Sequence, residues 1–238
     1  MELALNSCIT LLLAFILLTV VLTPANADEK NAGVFSISSK PYGKTYGEWS
    51  FEWWQWFSSI PAGVNPGEDT TGKYCASNQN NTNIWFLTLT FGFDKATRTC
   101  TIPAQKAIFV PILSSICDRG EYPELKTGQD LLKCAQQFNE GIQRELSLEV
   151  DGKQITSLDS YRASSPLTNI TWPEHNVFGG TAGSFESVAD GFYVILEPLP
   201  VGEHVVHIKA LLVNSPKGSP AAEGAGYSHD VTYRLLVK

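Results

Sequence analysis

The pattern of hydrophobic residues first predicts a helix around EWSFEWWQWF, residues 48–57, which holds four of the six tryptophans of the chain. Thr45 followed by Glu48 has the spacing of a capping box, and Pro61 ends the segment because proline disfavours a helical residue before it. Five large apolar side chains fall on one helical stripe, the spacing of a helix that faces a core: Trp49, Trp53, Trp56, Phe57 and Ile60. The sequence therefore predicts a helix over 45–60 that packs into the protein.

Trp54 does not belong to this stripe and lies next to Glu52 and Gln55 on the neighbouring polar face. An indole beside carboxylate and amide groups is suited to stacking on a sugar ring whose hydroxyls the polar groups bind. The same side chain could instead pack under the loop over 63–83, or contact another protein copy. A membrane-binding role is disfavoured because the segment has no basic neighbours.

Alternation of apolar and polar residues predicts strands over most of the remaining chain. In NIWFLTLTFG, residues 83–92, alternation places Thr88 and Thr90 on one face. The other face carries Trp85, Leu87, Leu89 and Phe91. The runs GFYVILEPLPVGEHVVHIKALLV and HDVTYRLLV predict three further strands, and HNVFGG, residues 175–180, is a weaker strand candidate.

A second helical pattern covers residues 127–145, because five side chains share one stripe: Leu131, Cys134, Ala135, Phe138 and Ile142. Several short strands joined by turn-rich segments are typical of an antiparallel β-sandwich of the jelly-roll or immunoglobulin-like type. We therefore predict a mainly β fold with both helices packed against the side or end of the sandwich. Residues 45–238 are expected to form a single β-rich domain, preceded by an extension over 28–44.

The first residues of the chain, 1–27, have the pattern of a secretory signal peptide. An uncharged apolar run from Ile9 to Leu22 precedes an Ala-Asn-Ala sequence that fits a cleavage site. The front end departs from the pattern, because it carries Glu2 and no lysine or arginine, so a retained anchor is the alternative. The run is short for spanning a bilayer, which needs roughly 20 residues. We expect a secreted or periplasmic protein with no stable membrane insertion once the signal is removed.

The charge of the chain argues against two classes of partner, and its cysteine content indicates the cellular compartment. The chain has 17 basic and 24 acidic residues, whereas nucleic acids and anionic membranes are bound by basic surfaces. With Cys8 in the leader, four of the five cysteines remain, which indicates two disulfides in an exported protein. Four thiols allow three pairings, of which we favour Cys75–Cys100 and Cys117–Cys134. A metal site is disfavoured, because these cysteines form no C-x-x-C pair and lack a histidine at ligand spacing.

The sequence lacks the nucleophile-elbow, metalloprotease and phosphate-loop motifs, so it identifies no reaction and no cofactor. His204 and His207 are three residues apart on a predicted strand and should point to opposite faces. If their strands are neighbours, His207 could approach Thr232 or Asp230. A His–carboxylate pair can serve acid–base chemistry or simply lie on a solvated sheet face. His175, in a loop-rich region, is the more conspicuous candidate for a ligand contact.

The chain resembles a known family at three places: EWWQW in the first helix, WFLTLTFGFDKATRTCTIPAQKAIFVPI after it, and DGFYVILEPLPVGEHVVHI with DVTYRLLV at the end. Together these motifs are similar to those of a family of small exported microbial proteins of unknown function. The resemblance runs from about residue 45 to the C-terminus. It implies export and a single folded unit, and it carries no activity, ligand or site residue.

These observations favour a secreted or periplasmic, non-catalytic binding protein whose ligand is a carbohydrate or another component of the cell envelope. A small extracellular hydrolase that uses a histidine or carboxylate pair is the alternative, and a structural surface protein whose aromatic helix docks a partner is a further one. The oligomeric state stays open. The candidate ligand-binding residues are Glu52, Trp54, Gln55, His175, His207 and Asp230.

Overall fold

The computed structural model describes residues 31, 33–91, 95–140, 143–213 and 227–238. The predicted signal peptide, the start of the predicted extension and Ile142 lie outside the described residues. The fold is mainly β with two helices, as the sequence predicts. Neither helix, nor any other within the described ranges, combines the length and apolar character needed to cross a membrane.

The helices are α1 (Tyr46–Ser58) and α2 (Gly128–Phe138). The strands, in chain order, are β1 (Ile84–Phe86), β2 (Lys95–Ile102), β3 (Ala107–Asp118), β4 (Gln143–Val150), β5 (Lys153–Gln154), β6 (Arg162–Ser164), β7 (Thr168–Trp172), β8 (Gly183–Leu196), β9 (Gly202–Val213) and β10 (Tyr227–Val237).

The described strands form two sheets that contribute to one hydrophobic core. The first sheet has the order β1-β3-β8-β6, with β7 also paired to β8, and the second has the order β2-β10-β9-β4-β5. Two sheets that share a core fit the predicted sandwich. Two pairings, β1 with β3 and β2 with β10, are parallel, whereas the sequence suggested antiparallel neighbours throughout. The β1–β3 pair is parallel because the chain passes through the second sheet at β2 between them, and parallel neighbours need such a crossover.

Helix α1 forms where the sequence predicts it. The Thr45 hydroxyl accepts a hydrogen bond from the Glu48 backbone N–H, and the Glu48 carboxylate accepts one from the Thr45 N–H, which completes the capping box. All five side chains of the predicted stripe are buried. Three of their indole N–H groups donate to backbone carbonyls of separate segments: Trp49 to Pro41, Trp53 to Leu87 and Trp56 to Ser77. The aromatic helix therefore holds the preceding and following loops through hydrogen bonds as well as burial.

The first sheet lies between α1 and the second sheet. Neighbouring residues of its strand β8 point to opposite sides, so they contact different layers. On one side, the Phe192 ring faces Arg144 of β4 in the second sheet, with 4.4 Å between the ring centroid and the guanidinium carbon. The hydroxyl of the adjacent Tyr193 is hydrogen-bonded to Ser114, which in turn accepts from the Trp54 indole of α1. Consequently β8 is buried on both faces over most of its length.

Helix α2 is shorter than predicted: it ends at Phe138, and residues 143–145 belong to β4. The capping box at its start, formed by Thr127 and Asp130, is present. At its end the Asn139 side chain leaves the helical pattern and donates to the Asp190 carboxylate at 3.0 Å. This tertiary contact ends the helix, whereas the apolar periodicity of the sequence continues past it.

Both predicted disulfides are confirmed. Cys75–Cys100 connects the loop after α1 to β2, and Cys117–Cys134 connects β3 to α2. The second bridge lies in a small apolar cluster with Leu131, Ala135 and Val188. It therefore fastens α2 to the first sheet, as its place on the predicted stripe indicated.

Candidate ligand-binding cavity

A cavity of about 420 Å³ lies between α1, α2, the second half of β3 and the facing ends of β9 and β10. The segment 88–91 after β1 and the loop 173–182 between β7 and β8 complete its wall. Most of the lining is aromatic or aliphatic, with a few polar groups. Small-molecule sites have this character and typically enclose about 300–1,000 Å³.

Phe178 joins four other aromatic side chains into one wall of the cavity. Its ring centroid lies 4.7 Å from that of Phe91, 5.3 Å from Trp172, 6.1 Å from Phe57 and 6.2 Å from Trp54. These separations lie in the range of favourable ring pairs, about 4.5–7 Å. Phe178 is nevertheless 42% exposed, so it forms the boundary between the aromatic cluster and solvent.

The loop that carries Phe178 is held by Asn176, which is buried. Its amide donates to the carbonyls of Pro173 and Gly180, and its side-chain oxygen accepts from the backbone N–H groups of Phe178 and Gly180. These bonds wind residues 173–180 into turns, so the strand predicted for HNVFGG is wrong. A side-chain amide that bonds the local backbone in this way favours turns over strand pairing.

Asp118 is a buried carboxylate in the cavity wall. One oxygen accepts from the Trp172 indole at 2.9 Å, and the other accepts from the backbone N–H groups of Gly120 at 2.7 Å and Glu121 at 3.1 Å. Three N–H donors thus satisfy the buried carboxylate, as burial of a polar group requires. The bonds fix the Trp172 ring and the turn after β3.

Glu121 and Tyr122 follow Asp118 at the more exposed edge of the cavity. The Tyr122 hydroxyl donates to the Glu121 carboxylate at 3.2 Å. Partial desolvation raises the pKa of Glu121, and the charge of Asp118 raises it further. Burial likewise raises the pKa of Tyr122, with the Glu121 charge as the second cause. The ionisable side chains at this edge are therefore a carboxyl and a phenol, both with raised pKa values.

Two buried polar atoms of the lining residues have no hydrogen-bond partner within the described structure: Thr90 Oγ1 and Asn139 Oδ1. Thr90 is 4% exposed and Asn139 is 1% exposed. Buried polar groups are normally paired, so each such atom requires an explanation. Neither atom receives a partner from the described residues, and both belong to residues of the cavity wall.

Of the residues predicted for ligand contact, Trp54 lines the cavity, while Glu52 and Gln55 do not. Trp54 is buried and donates to Ser114 at 3.0 Å. Glu52 pairs with Lys44, and the Gln55 amide donates to the Asn169 carbonyl at 2.7 Å. The polar face next to Trp54 therefore serves packing between α1 and its neighbours. The indole that bonds the loop over 63–83 is that of Trp56 rather than Trp54.

His175 contributes its backbone to the structure. It adopts a left-handed conformation, with φ of 57°, in the loop beside the cavity, and its carbonyl accepts from Ala62 N–H at 2.9 Å. Its side chain is exposed and is not among the cavity residues. The loops after α1 and after β7 therefore meet at this point, without an imidazole directed into the cavity.

His207 and Asp230 meet as the sequence suggested, on the outer face of the second sheet. His207 Nε2 lies 2.6 Å from Asp230 Oδ1, and Lys209 Nζ lies 3.6 Å from the other carboxylate oxygen. Desolvation raises the pKa of Asp230, but the bond to His207 and the Lys209 charge outweigh it, so the net pKa is lowered. The pair lies on the face of the sheet opposite to the core, because Val206 and Ile208, the neighbours of His207, are buried, and neither His207 nor Asp230 lines the cavity.

The other histidine of β9, His204, is hydrogen-bonded to Asp151, with 2.7 Å between His204 Nδ1 and Asp151 Oδ2. Across the described ranges, no three histidine, cysteine or acidic side chains cluster closely enough to hold a metal ion.

Sequence reasoning missed most of the cavity. Thr90 was assigned to the polar face of a strand, but β1 ends at Phe86 and the following segment is buried on both sides. Phe178 was placed in a strand, and Asp118 and Asn139 carried no motif. The available signal was the concentration of threonine and aromatic residues after β1.

Comparisons of the chain with protein-family models, with curated proteins and with solved structures find no significant match.

Proposed function

We propose that this protein is a secreted or periplasmic, non-catalytic binding protein that holds a small, largely apolar ligand in the cavity between α1, α2 and β3. The observation that carries the proposal is an aromatic cavity of about 420 Å³ whose lining includes two buried polar atoms without partners. Such a combination of apolar wall and few convergent polar groups is the usual character of a ligand site.

The chemistry of the lining supports binding over catalysis. The lining residues include no histidine, cysteine or lysine among the described positions. The buried carboxylate of Asp118 already accepts three hydrogen bonds from the protein, so it holds the local structure together and is not a free general base. The lining is therefore better suited to holding a ligand than to transforming one.

The ligand class follows from the same lining. Sugar-binding sites need free polar side chains around an aromatic platform, whereas Ser114, Asp118 and Asn176 of the lining already bond other protein groups. Glu52 and Gln55 lie outside the lining. The sequence suggested a carbohydrate or another component of the cell envelope as the ligand. Of these two, we favour an apolar component of the cell envelope. Export itself is supported by the leader pattern and by two disulfides, which persist in oxidising compartments. Mass spectrometry of native protein tests it, since we expect cleavage after Ala27.

The binding proposal is tested by titrating the protein with N-phenyl-1-naphthylamine, an uncharged dye that fluoresces in apolar surroundings. Thr181→Trp should block binding, because Thr181 lines the cavity and is exposed, so a larger side chain can fill the entrance with little effect on folding. Thr101→Trp is the matched control, since Thr101 is exposed on the edge strand β2. We expect at least about tenfold weaker binding for the first variant only. Equal binding by both variants would place the dye elsewhere.

The hydrolase alternative rests on one contact, the bond between Ala62 and His175 that brings the loops after α1 and β7 together. His175 is exposed there. A screen against ester and polysaccharide substrates, with His175→Ala as control, tests this alternative. Turnover that disappears in the variant would replace the binding proposal.

A further inference from the structure

The ionisable side chains of the cavity wall are acidic or phenolic: Asp118, Glu121, Tyr122 and Tyr227. Among the described lining residues there is no lysine, arginine or histidine to compensate an anionic ligand. The nearest arginine in sequence, Arg119, pairs with Glu186 at 2.9 Å. A carboxylate or phosphate entering this cavity would therefore lose its hydration without gaining a cation, which is strongly unfavourable.

The orientation of the Asn139 amide is determined by its surroundings. Its nitrogen donates to the Ser115 hydroxyl at 2.8 Å, to the Asp190 carbonyl at 2.8 Å and to the Asp190 carboxylate at 3.0 Å. Ser115 itself donates to the Ala135 carbonyl, so its oxygen accepts from Asn139. Exchanging the amide oxygen and nitrogen would set the oxygen against these acceptors. The unpartnered Oδ1 is therefore an acceptor that lacks a donor.

Thr90 supplies the second unpartnered polar atom. Its backbone lies in the segment held by the buried Arg98, which donates to the carbonyls of Thr88 and Leu89. The position of Thr90 is thus held by neighbours whose polar atoms are satisfied, while its own hydroxyl has no partner in the described structure. A hydroxyl can donate or accept, so it matches a ligand hydroxyl in either direction.

We propose that the cavity selects an uncharged amphiphile, with an apolar chain or ring body and a hydroxyl or amide group that hydrogen-bonds to Asn139 Oδ1 or Thr90 Oγ1, and that it rejects the same body carrying an anionic head. This inference rests on the proposed binding function. Thr90 and Asn139 are then the residues that determine specificity for the polar group, and the acidic wall excludes anions.

The first test compares three ligands with one chain length as competitors for the bound dye: 1-decanol, decanoate and decylamine, at about pH 8, where the last two are charged. We expect decanol to displace the dye at concentrations about tenfold lower than decanoate, because only decanoate must bury an unpaired charge. Decylamine should also compete less well than decanol, because its ammonium group would lose hydration in a largely apolar cavity whose buried carboxylate, Asp118, already accepts three N–H donors. Competition by either charged ligand that equals that of decanol would overturn the inference.

The second test uses Thr90→Val, which removes the hydroxyl and keeps the shape of the side chain. Because that hydroxyl has no partner to lose, thermal stability should be unchanged or higher. Affinity for decanol should fall about three- to tenfold, while Thr90→Ser, which keeps the hydroxyl, should bind decanol nearly as the parent protein does. Unchanged decanol affinity in Thr90→Val would exclude Thr90 as a specificity residue.

The outcomes separate this inference from the proposed function. If the dye fails to bind the parent protein, or binds Thr181→Trp equally well, the cavity is not the binding site and both proposals fail. If the dye binds in the cavity but decanol and decanoate compete equally, the binding function stands and the selection of uncharged ligands is wrong. The ligand comparison uses the parent protein, so it stays decisive even if Thr90→Val folds poorly.

Discussion

Two buried polar regions lie close together in this molecule and differ in how their polar atoms are satisfied. Arg98 is 1% exposed, yet its guanidinium donates to the backbone carbonyls of four residues and to the Tyr233 hydroxyl: the carbonyls are those of Gly67, Asp69, Thr88 and Leu89. Only two residues beyond Thr88, the Thr90 hydroxyl in the cavity wall has no partner in the described structure.

The difference separates a structural network from a candidate site. A fully paired buried network makes the local structure rigid, whereas an unpaired buried group is destabilising unless something supplies its partner. Among the described residues of this region, the side chains with unpaired polar atoms are Thr90, Asn139 and His229, whose ring lies 5.5 Å from that of Tyr227 in the cavity wall. The protein thus stabilises its scaffold around Arg98 and leaves polar groups available beside the cavity.

The largest effect is expected from Arg98→Met, because it leaves several buried carbonyls without a donor. We expect a loss of about 3–5 kcal/mol in the free energy of unfolding, measured by urea denaturation. The control is Arg234→Met, on an exposed position of β10, where the change should stay within about 0.5 kcal/mol. Equal effects of the two substitutions would show that the Arg98 network is not the stabilising element described above.

The two disulfides provide the next comparison, since each belongs to one region. Replacing either pair by alanine should lower stability by about 3 kcal/mol, because the closed loops have similar lengths. Loss of Cys117–Cys134 should also weaken dye binding, because it releases α2, which brings Phe138 and Asn139 to the cavity. Loss of Cys75–Cys100, beside the Arg98 network on β2, should leave dye affinity unchanged. Equal weakening by both pairs would contradict the separation of the regions.

The smallest effect in this series is a pH dependence that originates at His229. Burial, reinforced by the charge of Arg98, lowers its pKa from 6.5 to about 4, although a backbone contact with Ile112 opposes the shift. Between these values the unfolded chain binds a proton that the native protein does not, so stability falls as the pH falls through this window. We expect a loss on the order of 2–3 kcal/mol between pH 6.5 and pH 4 from this residue.

Urea unfolding at several pH values, compared with His229→Leu, measures this contribution. The substitution removes ring nitrogens that have no partner in the described structure, so the variant should fold and show a shallower dependence on pH over the same window. Parallel pH profiles of the two proteins would show that His229 is solvated or paired, and would remove it from the unpaired group.

Local rules predicted much of the fold. The capping box at Thr45, the buried stripe of α1 and the two cystines followed from spacings within short segments, and the His207–Asp230 contact followed from strand alternation and one correct neighbour relation. The errors occur where a distant residue decides. Helix α2 ends at Asn139 because Asp190 binds its amide, and residues 175–180 form turns because Asn176 bonds their backbone.

The candidate site was predicted at one position only. Trp54 was singled out because it lies off the core stripe, and it does line the cavity, but its partners are Ser114 and Phe178 rather than the adjacent Glu52 and Gln55. Strand alternation could not indicate Thr90, because it assigns this residue to a polar face and only the surrounding elements bury it.

By itself, the sequence determined the elements and their covalent links: an aromatic helix, strands of period two and two cystines, since these depend on residues within a few turns or on composition. The tertiary structure alone decided where polar atoms find partners. Trp172 bonds Asp118 across 54 positions and Trp54 bonds Ser114 across 60, so the cavity wall is assembled from segments far apart in the chain. A pattern read along the chain reports burial, whereas hydrogen-bond satisfaction depends on which distant groups the fold brings together.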